Sequence, residues 1–431
     1  MLFSAVTVAA ALASLIVFEQ RFLFSMGIGG ALVSLVAAAV SLTILPALLA
    51  ALGPRVDALS SARWREALRR EAAHEEEGFW YRHSRRVMKR PGAVAAVTAA
   101  LLILVGLPFT QIKFTGLDAS VLGTSHSGRV VEDALQREFP PNRTSPVIVA
   151  AEAPESARTE VGAYAQRLRE LPGVLAIQEP SAANGVWRIG VVAEGTRLDE
   201  SAKDAVRAVR AVPAPFPVEV GGSTAEFLDQ QSALADRIPL ALAILTTTTL
   251  VILFLMTGSV VLPIKTLIMN LLTLSAAFGI LKLIFQDGRL EGVLGYTSQG
   301  ALESSQPILL FATAFGLSTD YGVFLLTRIK EARDAGLSND AAVAAGLQRT
   351  GRIVTAAAIL FCIAIGAFVT SEMIFIKQLG LGTALAVLID ATIVRALLVP
   401  SLMKLLGDWN WWAPRPLARL HERIGLRESP A

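Results

Sequence analysis

The sequence predicts a polytopic α-helical membrane protein with eight spans and one extracytoplasmic α+β domain. Of the 431 residues, 53% are hydrophobic and only 17% are charged, a composition typical of chains with many membrane-spanning helices. Apolar runs long enough to cross a bilayer recur along the chain. Between the third and fourth runs lies a long polar stretch, residues 110–236, which cannot cross a membrane.

The first part of the chain is predicted to contain three spans and a cytoplasmic loop. Residues 1–52 form two apolar runs joined by a tight turn; no basic segment precedes the first run, which argues against a cleaved signal peptide. Residues 53–90 contain ten lysine or arginine residues, so the positive-inside rule places them in the cytoplasm. Residues 91–109 form the third predicted span.

The polar stretch at 110–236 combines short strand patterns with helical ones. Strand, helix, strand, strand, helix and strand are predicted, in this order, at Val147–Ala151, Ser156–Leu171, Val174–Gln178, Trp187–Val192, Asp199–Val212 and Val218–Val220. This order is that of the split βαβ, or ferredoxin-like, arrangement. With residues 53–90 inside, the parity of the spans places this domain outside the cytoplasm.

Five more spans are predicted within residues 237–406, followed by a basic cytoplasmic tail, residues 407–431. The third of these spans, Ile308–Leu326, is apolar but contains Asp320, which is followed by Tyr321. An ionised group inside a span costs at least about 2.5–3.5 kcal/mol on insertion scales, so an intramembrane carboxylate indicates a functional site. The alternative interpretation is a carboxylate that is paired for structural reasons alone.

The sequence gives two further expectations about this region, one about helix packing and one about two lysines. Ala312, Gly316 and Asp320 are spaced four apart, so a neighbouring helix is expected to approach the face that carries the carboxylate. Lys265 and Lys282 lie near opposite ends of the preceding span, and both are expected to extend toward the membrane interface.

The last span contains a second pair of charges, Asp390 and Arg395. On a regular α-helix, residues five apart point about 140° away from each other. A π-bulge between Gly382 and Pro400 is a hypothesis that would turn the two side chains closer to each other. Arg395 could instead pair with Asp320, and a purely structural ion network is the alternative to a functional role.

An internal repeat relates the first two spans to the last two. Met26–Leu32 (MGIGGAL) corresponds to Leu379–Leu385 (LGLGTAL) at a shift of 353 residues, and Pro46 corresponds to Pro400 at a shift of 354. The extra residue in the last span is consistent with a π-bulge. A copy of Asp320 at the same shift would precede the first residue, so the repeat predicts an N-terminally incomplete member of a duplicated protein.

Several function classes are disfavoured. The sequence has no phosphate-binding loop of the Gly-x-x-x-x-Gly-Lys-Ser/Thr type, which argues against an ATP-driven pump. Its four histidines suggest neither a catalytic triad nor a metal site, so we predict no enzyme activity, cofactor or metal. The basic residues lie in loops beside apolar runs, a pattern of membrane topology and not of nucleic-acid binding.

The segment Phe315–Glu331 (FGLSTDYGVFLLTRIKE) resembles the signature of the MMPL family, large mycobacterial-type membrane proteins of the RND transporter superfamily. Further segments that resemble the family are Pro263–Thr266, Phe285–Gly288, Gly351-Arg352 and Leu388–Arg395. The resemblance implies an RND-type helical bundle and a porter domain at residues 110–236. It also implies proton-coupled export of lipids or other hydrophobic molecules from the bacterial cell membrane, with Asp320 and Tyr321 in the proton relay.

The family plan has twelve spans in two halves, and the chain resembles the fifth to twelfth of them. Two Asp-Tyr pairs form the family relay, and one such pair occurs in these 431 residues. The leading prediction is a proton-motive-force-driven exporter seen as an N-terminally incomplete chain. The alternatives are an inactive or half-protein remnant that needs a separate first half, and a membrane scaffold for cell-envelope assembly. The expected partners are membrane lipids, a hydrophobic or lipid substrate, protons, and either the missing N-terminal half or further copies of the chain.

Overall fold

The structure, a computed structural model, describes three stretches of the chain: residues 2–57, 78–139 and 145–424. The chain divides into two compact units. One unit comprises Met1–Lys113 together with Ile238–Ala431, and the other comprises Phe114–Arg237. Residues 58–77 of the predicted cytoplasmic loop and residues 425–431 of the predicted tail lie outside the described residues.

Helices dominate the described chain. In chain order they are α1 (Leu2–Ala13), α2 (Arg21–Leu52), α3 (Phe79–Val87), α4 (Pro91–Gly106), α5 (Ser127–Glu138), α6 (Arg158–Arg169), α7 (Glu200–Ala211), α8 (Ser223–Thr257), α9 (Val261–Leu281), α10 (Glu291–Leu294), α11 (Gln306–Asp334), α12 (Asn339–Gly366), α13 (Ile374–Ile389), α14 (Val399–Leu406) and α15 (Arg415–Ile424). The strands are β1 (Phe114–Thr115), β2 (Val147–Glu152), β3 (Val174–Ile177), β4 (Ser181–Ala183), β5 (Val186–Ala193), β6 (Val218–Gly221) and β7 (Leu302–Glu303).

Seven helical segments of the described chain are long and apolar enough to cross a membrane. They contain α2, α4, α8, α9, α11, α12 and, in the last one, both α13 and α14. Their bounds are Arg21–Leu52, Pro91–Gln111, Ser223–Thr257, Val261–Gln286, Gln306–Asp334, Asn339–Thr370 and Ile374–Trp411. The first predicted span corresponds to the apolar helical segment Leu2–Val17, which falls short of the usual spanning length of about 17–25 residues. Seven spans are therefore supported, and the eighth stays a prediction.

Helix α11 packs against α1, α9, α12 and α13 in the membrane unit. Its small residues allow α1 to come close: an added Cβ at Gly316 would lie 3.2 Å from the Ala11 Cβ. Ala312, one turn earlier, is only 2% exposed. The predicted close approach of a neighbouring helix is confirmed, and that helix is α1.

Two helices of the membrane unit change to π geometry. The first π segment is Lys282–Gln286 after α9, and the second is Asp390–Leu398 between α13 and α14. In the second segment the Val399 N–H donates to the Val394 carbonyl, five residues back. This is the part of the last span where the repeat comparison predicts an extra residue.

The second unit contains an antiparallel sheet whose main strands follow the order β3-β5-β2-β6, with β4 paired to β5. Strand β2 alternates, with Val147, Val149 and Ala151 buried, as expected for a sheet with one covered face. The core that these side chains form also includes residues of α6 and α7, among them Leu168 and Val206, both fully buried. The four strands predicted from the sequence are present with ends shifted by at most two residues, whereas β4 was not predicted.

A glycine of α9 provides a test of the helix packing in the membrane unit. An added Cβ at Gly279 would lie 2.1 Å from the Val105 carbonyl oxygen of α4. Because a backbone atom cannot move aside as a side-chain end can, Gly279→Ala is expected to destabilise the fold by about 1–3 kcal/mol. The measurement is the midpoint of thermal unfolding of the purified protein in detergent.

The matched control is Gly366→Ala at the end of α12, where no atom lies within 4 Å of the added Cβ. Alanine in a helix is favoured over glycine by roughly 0.5–1 kcal/mol, so this variant is expected to unfold at the same or a higher temperature. Equal midpoints for the two variants would contradict the close α4–α9 contact.

Candidate functional site: an intramembrane charge cluster

Asp390 and Arg395 form a buried ion pair on the last span. The Arg395 Nε donates to the Asp390 Oδ2 at 2.8 Å, and Nη2 lies 2.7 Å from the same oxygen. The two side chains are 3% and 5% exposed, respectively. The π-helical segment places residues five apart on the same side of the helix, so the predicted irregularity is present. Arg395 pairs with this carboxylate and not with Asp320.

Ser318 of α11 joins the ion pair to the neighbouring span. Its carbonyl oxygen accepts a hydrogen bond from the Arg395 Nη2 at 2.7 Å, and its hydroxyl lies 2.8 Å from the Asp390 Oδ1. The same hydroxyl lies 2.8 Å from the Asn270 Oδ1 of α9, and the Asn270 Nδ2 donates to the Thr319 Oγ1 at 2.9 Å. All five side chains are buried, so three spans meet in one hydrogen-bonded cluster.

The Ser318 hydroxyl has one proton and two neighbouring acceptors. When it donates to Asp390, the contact with Asn270 needs the amide nitrogen on that side. When it donates to the Asn270 oxygen, the contact with Asp390 needs a proton on the carboxyl group, because an ionised carboxylate has none to donate. A single Ser318 hydroxyl thus joins the ion pair on the last span to Asn270 on α9.

The predicted relay residues lie beside this cluster on α11. The Arg395 guanidinium carbon lies 5.4 Å from the centroid of the Tyr321 ring, a cation–π contact. Tyr321 also packs against an apolar cluster that α12 and the last span form together, consisting of Val354, Ala358, Val387 and Ala391. Asp320 is partly buried, and its carboxylate has no hydrogen bond or ion pair with any residue that the structure describes.

The structure therefore brings together three of the four predicted site residues, Tyr321, Asp390 and Arg395, and leaves Asp320 beside them without a hydrogen bond or an ion pair to any described residue. The sequence analysis missed Ser318 and Asn270. Asn270 was recognisable in the sequence, because it is a polar amide inside the apolar run that forms α9. Ser318 lies within the Asp-Tyr segment, but a serine in a span usually bonds its own helix backbone, so its sequence position alone does not indicate its role.

A narrow cavity of about 20 Å³ borders the cluster and extends to Lys265. Its walls include Asn270, Ser318, Asp390 and Arg395. About 10–15 Å³ is enough for one water molecule, and the polar walls offer it hydrogen-bond partners. One water molecule could therefore extend the hydrogen-bonded cluster toward Lys265.

Lys265 is buried, and the expectation that it extends to the membrane interface is wrong. It is 6% exposed, its Nζ donates to the Asn410 Oδ1 at 3.2 Å, and it lies against the Met403 sulfur. Asn410 belongs to the helical turn Gly407–Trp411, which covers this end of α9. No ion pair joins Lys265 to any carboxylate in the described stretches, so the amide oxygen is its main polar partner.

A double-mutant cycle tests the ion pair. Either single change, Asp390→Asn or Arg395→Gln, leaves one buried charge without its partner and is expected to cost about 3–5 kcal/mol. The double variant removes both charges and is expected to cost clearly less than the sum of the two. The measurement is the unfolding free energy of the purified protein in detergent.

The control is the exposed ion pair between Arg333 and Asp408, whose side chains are 32% and 83% exposed. Exposed pairs are worth about 0–1 kcal/mol, so Arg333→Gln and Asp408→Asn are expected to act weakly and additively. Additive losses at Asp390 and Arg395 would show that the two charges do not stabilise each other.

The comparisons with known proteins agree with one another. The MMPL family model matches residues 1–94 and 133–425. A putative membrane protein of Streptomyces coelicolor is 42% identical over 434 residues, which cover 99% of this chain and 58% of the relative. The trehalose monomycolate exporter MmpL3 of Mycobacterium tuberculosis is 37% identical over 464 residues, covering 99% of this chain and 49% of the relative. The chain spans about half the length of the curated relatives it matches.

A solved structure agrees at the level of the fold. The crystal structure of a heavy metal efflux pump aligns with a TM-score of 0.53, over 94% of this chain and 58% of that chain. At 15% sequence identity, the alignment supports a common fold and carries no information about substrate.

Proposed function

This chain belongs to the MMPL family, and from this premise we propose that it takes part in proton-motive-force-driven export of lipids or other hydrophobic molecules across the bacterial cell membrane. The observation that carries the proposal is the buried cluster of Asp390, Arg395 and Ser318 beside Asp320 and Tyr321. Buried ionisable groups inside spans mark proton and ion pathways in transporters. The relatives named as lipid exporters support a hydrophobic substrate.

In the proposed cycle, the proton binds at Asp320. Asp320 is half-buried and has no hydrogen bond or ion pair among the described residues, so a proton removes an ionised carboxylate from the packed face of α11. The ion pair of Asp390 and Arg395, hydrogen-bonded to Ser318, holds the last span against α11 beside this group.

The second unit, Phe114–Arg237, is proposed to be the extracytoplasmic porter domain with a ferredoxin-like arrangement. The proposal is supported by the order strand, helix, strand, strand, helix, strand at β2, α6, β3, β5, α7 and β6, and by the antiparallel pairing of these strands. Its position between two spanning helices is that of the porter domain in the family plan. The segment Leu2–Val17 is proposed as the eighth span.

A half-protein that works with a separately supplied first half is the second candidate. Helix α2 is 32 residues long, yet its described side chains are buried only at Leu23 and Gly27, so nearly all of its apolar surface is available to lipid or to another helix bundle. These 431 residues contain one Asp-Tyr pair, Asp320-Tyr321, whereas the family relay uses two.

The exporter proposal is tested at Asp320. The purified protein is reconstituted in liposomes, a potassium diffusion potential is imposed, and proton entry is followed with a pH-sensitive dye inside the liposomes. Asp320→Asn is expected to lower the flux to that of empty liposomes, because an amide cannot take up the proton. The control is Asp334→Asn on the same helix, whose carboxylate is 64% exposed and paired with Lys330; this variant is expected to keep the wild-type flux.

Two outcomes would contradict parts of the proposal. Wild-type flux in Asp320→Asn would rule out the assigned relay. Absence of flux in the wild-type protein would rule out proton transport by this chain alone and favour the half-protein. A scaffold would keep its binding partners in the Asp320→Asn variant and show no flux in either form.

Tyr321 is proposed to position Arg395 through its ring. Tyr321→Phe keeps the ring below the guanidinium and is expected to retain most of the proton flux, whereas Tyr321→Leu removes the cation–π contact and is expected to lose it. The measurement is the same liposome assay. Loss of flux in Tyr321→Phe would instead show that the hydroxyl itself carries the proton.

A further inference from the structure

A second cavity of the membrane unit is large, apolar and separate from the charge cluster. It has a volume of about 490 Å³ and lies between the short helix α3 and the spans α12 and α13. Aromatic and aliphatic side chains form most of its wall, among them Phe79, Trp80, Ile359, Ile363 and Leu388. We call it the α3 groove. Nothing in the proposed proton pathway uses it.

Helix α3 is held firmly over one end of the α3 groove. The Tyr81 N–H donates to the Gln348 Oε1 at 3.0 Å, and Trp80 packs so closely on Gly351 that an added Cβ there would lie 2.6 Å from the indole ring. The His83 Nε2 lies 3.0 Å from the Ala396 carbonyl oxygen. Since a carbonyl oxygen only accepts, Nε2 carries the proton in this contact. The groove is therefore a preformed cavity and not a gap beneath a loose segment.

The same helix and the two turns after it are strongly basic. Five exposed cationic residues occur within nine positions: Arg82, Arg85, Arg86, Lys89 and Arg90. None of them has an ion pair with an acidic residue of the described chain. Arg82 and Arg86 lie on the exposed flank of α3, next to the turn whose residues Phe79, Trp80 and His83 line the α3 groove. A positive surface thus borders the end of an apolar cavity.

The dimensions of the α3 groove match one leaflet of a bilayer. Its α12 wall extends from Thr355 to Ile363, which is about 12 Å along a helix. Half of a hydrocarbon core is about 15 Å thick. Helix α3 ends shortly before the span α4 begins, so Arg82 and Arg86 lie near the predicted cytoplasmic membrane surface, at the level of lipid headgroups.

We propose that the α3 groove binds an acyl chain of an anionic phospholipid from the cytoplasmic leaflet, with the phosphate of the headgroup at Arg82 and Arg86. Basic residues at the surface attract anionic lipids, whereas a zwitterionic lipid would fill the cavity without net attraction to the two guanidinium groups. The bound chain contacts Leu388, Thr392 and Ala396, which flank or belong to the π segment that contains Asp390 and Arg395. This site does not depend on the transport proposal.

The test uses quenching of Trp80 fluorescence by brominated lipids. The full chain is reconstituted in phosphatidylcholine vesicles with increasing fractions of phosphatidylglycerol that carries bromine on its acyl chains, and the signal of a Trp80→Phe variant is subtracted. Saturable quenching at a low fraction of the anionic lipid is expected. Brominated phosphatidylcholine at the same fraction is expected to quench weakly.

Two variants, each with a matched control, distinguish the contribution of the lipid headgroup from that of the acyl chain. Arg82→Gln with Arg86→Gln is expected to lower the preference for the anionic lipid by about 25-fold, and the control, Arg419→Gln with Arg423→Gln on α15, is expected to leave it unchanged. Thr392→Phe fills the cavity from an exposed position and is expected to abolish quenching by both lipids. Its control is Leu360→Phe, which adds a ring on α12 outside the cavity.

Three results would overturn the proposal. Equal quenching by the two lipids would mean that the α3 groove holds bulk lipid without selection. An unchanged preference in the Arg82 and Arg86 double variant would remove the assigned headgroup site. Unchanged quenching in Thr392→Phe would place the acyl chain outside the cavity. Thermal unfolding midpoints equal to the wild type show that each variant is folded.

Discussion

The buried ion pair between Asp390 and Arg395 sets the geometry of the membrane unit. Two charges inside an apolar bundle are tolerated only when they are paired and their remaining hydrogen-bonding groups are satisfied. Here the guanidinium bonds to the carboxylate and to the Ser318 carbonyl, and it lies over the Tyr321 ring. Residues five apart on one helix reach each other in this way only through π geometry. The helical irregularity of the last span and its close packing against α11 thus follow from one electrostatic requirement.

The π segment Asp390–Leu398 also connects two features that are otherwise separate. On one side, Asp390 and Arg395 belong to the charge cluster. On the other side, the Ala396 carbonyl holds His83 of α3, and Thr392 borders the α3 groove. A molecule in that cavity would therefore contact the same short segment that holds the charge cluster. π-Bulges are frequent at functional sites. In this span, one inserted residue produces the helical segment that both the charge cluster and the α3 groove share.

The polar residues that complete the cluster come from other helices. Asn270 is on α9, Ser318 is on α11, and both donate or accept within hydrogen-bond distance of the cluster. In a low-dielectric interior such a network is strong when every group is satisfied and costly when one is not. The Ser318 hydroxyl, with one proton between two acceptors, joins the ion pair of the last span to Asn270 of α9. Lys265, buried near the same cavity, places an amino group at its other end.

The sequence by itself determined the membrane class, the places of the seven supported spans and the main strands of the second unit. A span must satisfy its own backbone hydrogen bonds, so its extent can be read from one continuous apolar run. The strands followed from short valine-rich runs bounded by turn residues, whereas β4, three small residues at Ser181–Ala183, has no such pattern and was missed. The internal repeat also located the extra residue of the last span.

Tertiary structure alone decided which charges meet. Arg395 pairs with Asp390 and not with Asp320 because of how the helices are rotated and because Ser318, 77 residues before Arg395 in the sequence, accepts a hydrogen bond from it. The burial of Lys265 depends on Asn410, which lies 145 residues after it in the sequence. A local pattern reports which side chains are apolar, but the partner of a buried charge is set by which distant helix comes to lie beside it.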